Sequence, residues 1–396
     1  DLSEVRPWEH PQKTKPQLKK LAHTVYWNDS MDHVLQAQSV LEQARKAKKA
    51  AGILRQETTE KKNVFLLALA DLLEKNTKNI LAENGKDMSS ASGLTNAMKR
   101  RLILTAEGIV SMANSVREIA KSNDPVGKIA KEWTTPTGLR IVRVRVPIGV
   151  IASIFESRPN VIIDVAALCV KSGNAVIVRG GKEAQHSNNA LMNCIKKALE
   201  NAGLPIDSVQ QLEDRRHEAV GELVQLEDYL DLVIPRGREE LIRAVSEKSR
   251  VPVIKHMRGL CHLYIDSEAD IEKAIRIAVN AKVSNPSTCN SIETLLVHKD
   301  MADTIMPKLL EQLFQEGVEV RGDDRTCSYD ARCVPASDED WSTEYLDLIL
   351  SIKIVDSFDE AVQHIQKYSS GLTDAIVTEN KNRAGDFLKA IDSATI

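Results

Sequence analysis

The chain lacks an excess of either charge. Its formal net charge is -3 over 396 residues, so composition gives no reason to look for a nucleic-acid partner or an acidic tail. No apolar run approaches the roughly 20 residues that a membrane-spanning helix needs, and the polar, proline-containing start is unlike a secretory signal. Six cysteines (Cys169, Cys194, Cys261, Cys289, Cys327, Cys333) form no CxxC pair and no Cys/His ligand spacing. That pattern excludes a metal cage and a disulfide framework, and it reads as reduced thiols in a cytoplasmic compartment. Two phosphate-cradling signatures are missing as well: no GxGxxG follows the first strand, and there is no P-loop. Internal repeats and low-complexity segments are also absent.

What remains is ordinary globular material, 42% hydrophobic and 28% charged, in a chain too long for one simple core. Residues 1–30 show scattered Lys and Pro without a period and read as an extension. From 34 to 121 the apolar spacing is helical, as in "KKNVFLLALADLLEKNTKNILAENGKDM". Over 133–146 the period changes. A Pro/Gly turn precedes Arg143-Val144-Arg145-Val146, a two-faced alternation that reads as a protruding hairpin, either a solvated edge or an oligomer contact.

Beyond it runs a strand–helix rhythm. Strands are predicted at 149–155, 175–179, 208–212, 230–235 and 251–255, with helices over 161–171, 183–201, 215–226 and 239–247. Such alternation predicts a parallel, doubly wound sheet with helices on both faces. A second set follows Cys261, with strands near 262–265, 292–298, 349–355 and 373–378, so two α/β domains join near Gly259.

Three stretches could carry chemistry. Val178-Arg179-Gly180-Gly181-Lys182-Glu183 ends a strand and opens a helix, where an open α/β sheet binds ligands and a helix N-terminus with cations favours phosphate. Paired glycines there are more often the mark of a plain tight turn. Pro286-Ser287-Thr288-Cys289-Asn290 sets a thiol among polar neighbours on a turn, the setting of a nucleophile, although most cysteines are small buried hydrophobes. In Phe155-Glu156-Ser157-Arg158-Pro159-Asn160, Asn160 could donate to a developing oxyanion, while Ser157, Arg158 and Pro159 also suit simple helix capping.

Together with "LDLVIPRG" (230–237), "GLCHLYIDSEADIEKA" (259–274), "WSTEYLDLIL" (341–350) and "TDAIVTE" (373–379), these stretches, extended to "RVPIGVIASIFESRPNV" (145–161), "KSGNAVIVRGGKEAQHSN" (171–188) and "NPSTCNSIETLLVH" (285–298), make the chain similar to a known family. From about residue 40 onward it resembles the γ-glutamyl phosphate reductases (glutamate-5-semialdehyde dehydrogenases) of the aldehyde dehydrogenase superfamily. The resemblance implies NADPH-dependent reduction of L-glutamyl 5-phosphate to L-glutamate 5-semialdehyde in proline biosynthesis, through a thioester on Cys289. Asn160 and the Cys289 N–H would stabilise the oxyanion. Arg179, Gly180, Gly181, Lys182, Pro235, Gly237 and Glu344 would bind the cofactor, with Lys182 favouring NADP over NAD because a cation suits a 2′-phosphate. Glu156, Arg158 and His256 would contact substrate, and no metal is implied. The implied fold is aldehyde dehydrogenase-like: a doubly wound Rossmann-like NADP-binding domain (31–130 with 148–258), an oligomerisation hairpin (131–147) and a second α/β catalytic domain (259–396), after the extension 1–30. A homodimer and a functional association with glutamate 5-kinase are also implied.

Departures from the family pattern matter too. His256 stands where oxidising relatives carry a Glu that activates water, an absence that spares the thioester from hydrolysis. Arg238 replaces a second Gly, Leu372 replaces a His, and the chain stops at "DSATI", before the family's Gly-rich segment that pairs with the hairpin. Leu372 and the early stop keep open a non-catalytic member that binds a nucleotide or a partner, whereas His256 and Lys182 count against the third reading, a hydrolytic NAD(P) aldehyde dehydrogenase.

Overall fold

A computed structural model describes residues 26–255 and 258–396. It opens with helices α1 (Tyr26–Leu54), α2 (Thr59–Lys75), α3 (Thr77–Ser89), α4 (Asn96–Leu102) and α5 (Ala106–Lys121). Hydroxyl caps open α2, α4 and α5: Thr58 accepts from Lys61 N, Thr95 from Met98 N and Thr105 from Gly108 N. The expected extension 1–30 lies mostly outside the described residues, and the helical region begins at Tyr26 rather than at residue 34.

Next comes an antiparallel hairpin, β1 (Ile129–Thr134) with β2 (Arg140–Val144). Every residue of β1 is exposed, and Glu132 and Arg140 pair across the strands at 2.6 Å. β1 begins at Ile129, ahead of the predicted start of the hairpin.

The first sheet is parallel, built from β3 (Val150–Phe155), β4 (Ala175–Arg179), β5 (Val209–Gln211) and β6 (Leu232–Arg236) in the order β5-β4-β3-β6. Between them run α6 (Val161–Lys171), α7 (Gln185–Ala202) and α8 (His217–Leu223), and α9 (Glu239–Lys248) follows β6. Strand β3 is buried along its whole length, as a strand covered on both faces must be. Val150, Ala152 and Ile154 pack towards α1, while Ile151 and Phe155 pack among α2, α5, α6 and α7. At the start of β3, Gly149 has φ 133°, and a side chain there would run into Asp231, whose carboxylate accepts from Val150 N at 2.8 Å. The expected strand at 251–255 is reduced to one bridge, Val233 to Val253. Pro252 has no N–H to extend the ladder, so its carbonyl accepts from Val233 N and pairing ends.

The second sheet is also parallel: β7 (Cys261–Ile265), β8 (Ile292–His298), β9 (Glu319–Gly322), β10 (Val334–Pro335), β11 (Ile349–Val355) and β12 (Asp374–Val377), ordered β10-β9-β11-β8-β7-β12. Helices α10 (Ile271–Val283) and α11 (Lys299–Gln315) cover one face. The short α12 (Asp324–Cys327) follows β9, and α13 (Phe358–Tyr368) and α14 (Lys381–Ala390) pack on the other face. Strand β9, short and polar, answers to no predicted element. Among the described residues, no helix is long and apolar enough to cross a membrane.

Candidate active site

After β3 the chain turns towards β4 and β5, and after β6 it turns the other way, to Val253. Loops that diverge from adjacent parallel strands leave a crevice at the carboxyl edge. Here the amino edge of the second sheet closes that crevice, because Gly259 and Cys289 precede β7 and β8. The result is a cleft of about 380 Å³ whose lining includes Glu156, Arg158, Arg236, Gly237, Cys289 and Glu344. A second cleft, of about 410 Å³, lies on the other side of the Cys289 turn and includes Asn160, Asp164, Ser287 and Thr288. Arg101 and Arg158 line both.

The loop after β3 is held under backbone strain. Ser157 takes φ 45°, unusual for a residue with a side chain. Its N–H and hydroxyl both donate to Glu183 Oε1 at 2.7 Å, so the loop after β3 is stitched to the turn after β4. Glu156, expected to touch substrate, is already engaged: its carboxylate accepts from Arg238 N at 2.9 Å and pairs with the Arg238 guanidinium at 3.5 Å. It braces the Gly237–Arg238 turn.

Around Cys289 the cations gather. Arg236 points both terminal nitrogens at Sγ, each 3.8 Å away. Arg101 donates to the Ser287 carbonyl from Nε and Nη2, at 3.1 and 2.6 Å, and Arg158 adds a third donor at 3.3 Å. Burial lowers the Arg101 pKa. Burial, with repulsion from Arg101 and Arg236, pushes Arg158 down to about 10. Mutually repelling guanidiniums beside a half-buried thiol form a site that an incoming anion relaxes. On the opposite wall Glu344 is raised by burial, against an opposing hydrogen bond from the Gly259 backbone and the attraction of Arg101 and Arg258. The second thiol near the turn, Cys261, is buried; it donates to the Cys289 carbonyl at 3.3 Å and is pushed up to about 12 by that burial.

The expected residues divide into groups. Cys289, Glu156, Arg158, Gly237 and Glu344 line the first cleft. Asn160 lines the second, where its amide donates to Asp164 at 3.2 Å. Pro235 lies within β6, paired with Ile154. His256 lies outside the described residues. Arg179, Gly180, Gly181 and Lys182 border a separate hollow of about 30 Å³ at the end of β4, completed by Gln185, Gln211, Leu212 and Arg215. There Arg179 donates to the Arg215 carbonyl at 3.0 Å, and its Nε is buried without a partner. A side chain on Gly180 would meet Asn188 and Phe155. Three cations around a bare glycine turn, one with an orphaned nitrogen, fit the anionic end of a dinucleotide.

Three further site residues are Arg101, Arg236 and Arg215. Arg236 lies inside "VIPRG", between Pro235 and Gly237, and a cation there was the available signal. Arg101 carries none, since 186 residues separate it from its partner Ser287.

Paired α/β halves with a cysteine in the cleft between them define a class. The chain belongs to the aldehyde dehydrogenase family, whose sequence profile matches residues 14–327. Within it, the γ-glutamyl phosphate reductase of Nautilia profundicola is 47% identical over 354 residues, 89% of this chain and 86% of that protein. The same-named protein of Moorella thermoacetica is 47% identical over 362 residues, covering 91% and 87%. These relatives put the chain among the γ-glutamyl phosphate reductases, and it is an oxidoreductase. The crystal structure of the Thermotoga maritima γ-glutamyl phosphate reductase superposes with a TM-score of 0.82 at 42% identity, covering 90% of this chain and 87% of that one. An acetylating aldehyde dehydrogenase from Geobacillus thermoglucosidasius shares the fold at 18% identity, with a TM-score of 0.68 over 92% and 86% of the two chains.

Proposed function

We propose that this chain reduces L-glutamyl 5-phosphate to L-glutamate 5-semialdehyde with NADPH, in proline biosynthesis, through a thioester on Cys289. The observation that carries the reading is the group of three guanidiniums at the Cys289 turn. An aldehyde brings no charge to such a site, whereas an acyl phosphate brings a dianion that Arg101, Arg158 and Arg236 can share. In the first step the thiolate attacks the acyl carbon, the bond to the phosphate oxygen breaks, and phosphate leaves into the arginine group. Arg236 faces the sulfur with both terminal nitrogens, so its charge lies beside the nucleophile during attack. The Cys289 N–H and the Asn160 amide would receive the oxyanion, Asn160 by exchanging Asp164 for substrate. When bound, the dinucleotide would supply the hydride needed to reduce the thioester to the aldehyde, with the thiolate as leaving group.

The first α/β half would hold the dinucleotide, its 2′-phosphate among Arg179, Lys182 and Arg215 and its nicotinamide ribose against Glu344. The second half would present the nucleophile. Exposed Ile129, Leu139 and Val144 on the hairpin (55, 62 and 45% accessible) favour a homodimer formed through that element. A monomeric mass by light scattering would overturn the dimer.

The reaction is tested in reverse, as phosphate-dependent reduction of NADP⁺ with glutamate semialdehyde, for the native sequence and for Cys289→Ala. Activity that requires both phosphate and the cysteine supports the thioester route. Activity without phosphate means a hydrolytic dehydrogenase, and none in a protein that binds NADPH means a non-catalytic member.

A further inference from the structure

We infer that Glu293 is a positioning residue for the cofactor wall of the cleft: its carboxylate, clasped by Lys282, holds the Leu346 backbone and so fixes where Glu344 stands. The inference rests on the reading of Glu344 as a cofactor contact. Lys282, near the end of α10, and Glu293, on β8, flank the turn that carries Cys289, and both side chains are essentially inaccessible to water. Lys282 Nζ donates to Glu293 Oε2 at 2.8 Å and to the Ile292 carbonyl at 3.1 Å. The other oxygen, Oε1, accepts from Leu346 N at 3.2 Å. One buried carboxylate therefore joins the turn bearing the nucleophile to the loop bearing Glu344.

That loop needs holding. Leu346 takes φ 53°, a left-handed conformation that leucine resists. Its neighbours are pinned separately, Tyr345 through its hydroxyl on Asp340 at 2.7 Å and Asp347 by Arg100 at 2.9 Å. Glu344 and Leu346 both line the cleft that contains Cys289. Burying two opposite charges gains little stability over an apolar pair of similar volume. An apolar pair, however, offers no acceptor for the Leu346 N–H, and a strained residue without its anchor relaxes.

The test uses the full chain with Glu293→Ala, Glu293→Gln, Glu344→Ala and the double variant Glu293→Ala/Glu344→Ala. Hydrogen exchange over 343–348 reads the loop, and fluorescence titration of NADPH reads the cofactor wall. Glu293→Ala should speed exchange and weaken NADPH binding, each by about tenfold, the scale of one lost hydrogen bond to a charged group. Glu293→Gln, whose amide oxygen can still accept from Leu346, should restore most of both. In the Glu344→Ala background the second substitution should weaken binding no further, since its effect passes through Glu344. Unchanged exchange in a folded Glu293→Ala protein, or a fully additive loss of affinity, overturns the inference. Glu344→Ala that binds NADPH normally would instead overturn the cofactor reading of Glu344, while the exchange result still decides whether Glu293 positions the loop. If Glu293→Ala does not fold, Lys282→Met/Glu293→Leu removes both buried charges and carries the same readouts.

Discussion

Gly259→Ala is the sharpest available perturbation, because what the new methyl group meets is backbone. Its Cβ would stand 2.7 Å from the carbonyl carbon and 2.8 Å from the Cα of Cys289, and nearer still to the carbonyl oxygen, whereas real Cβ atoms essentially never come under 3.0 Å. No side chain can swing aside to make room. The Cys289 turn must retreat from the start of β7, and clearing even the 3.0 Å floor takes about 1 Å of movement, a displacement that costs on the order of 100-fold when it falls on reacting groups. Overpacking should also lower stability by about 1–3 kcal/mol. The substitution therefore separates two quantities. Thermal unfolding should fall by several degrees, about 2–8 °C on the usual scaling, while kcat/KM for the phosphate-dependent reaction falls about 100-fold. Alkylation of Cys289 by iodoacetamide reads the thiol without the cofactor and should lose its assistance from Arg236, since that contact is already long at 3.8 Å. A Gly259→Ala protein with kcat/KM and alkylation rate near native values would refute the claim that this glycine sets the position of the nucleophile.

Arg236→Ala should slow alkylation of Cys289 at neutral pH by about tenfold, the effect of one charge-assisted contact, with Arg236→Lys between it and the native protein; equal rates in all three would remove Arg236 from the site. Lys182→Glu should shift the ratio of kcat/KM for NADPH over NADH towards NADH by about tenfold or more, because the ribose 2′-phosphate then meets a like charge; an unchanged ratio would move the 2′-phosphate elsewhere. Burial raises the Asp340 pKa, but Arg321 at 2.6 Å, the Ser337 N–H and hydroxyl, and Tyr345 outweigh it and hold the folded value below the usual 3.8. A carboxylate depressed in the folded state stabilises above its unfolded pKa and loses that contribution as pH falls below 3.8 towards the folded value. Asp340→Asn should therefore lower the unfolding temperature at pH 7 and flatten its decline below pH 4; parallel curves would show that Asp340 contributes no such linkage.

The legible parts of the fold share a physical cause. Strands β3, β4 and β8 and helix α6 are buried on nearly every side, and continuous apolar runs between turn signals have few other ways to fold. Strand β9, Glu-Val-Arg-Gly, lies beside the two-residue edge strand β10, where burial demands less and polarity hides the period. At 251–255 the apolar pattern promised a strand that Pro252 reduces to a single bridge. The site divides in the same way. Cys289 and Glu344 sit in stretches whose local chemistry or family resemblance marks them, and both line the cleft. Arg101 comes from α4, in the helical region, and meets Ser287 only through tertiary packing. Glu156 reads in sequence as a candidate substrate contact, and its acceptance from Arg238 N has no local signal. Side-chain partners across that distance are decided by topology, which local pattern does not encode.

The Ser287 carbonyl is also a joint between the two halves of the molecule. It belongs to the turn that precedes β8, while Arg101 and Arg158, which both bind it, come from α4 and from the loop after β3. An anion that draws on those guanidiniums competes with the contact that couples the halves. Anion occupancy and the stiffness of the joint are then linked, and by thermodynamic reciprocity whatever tightens one loosens the other. If phosphate leaves through that group, as proposed, its departure would return the arginines to Ser287 and restore the contact between the halves.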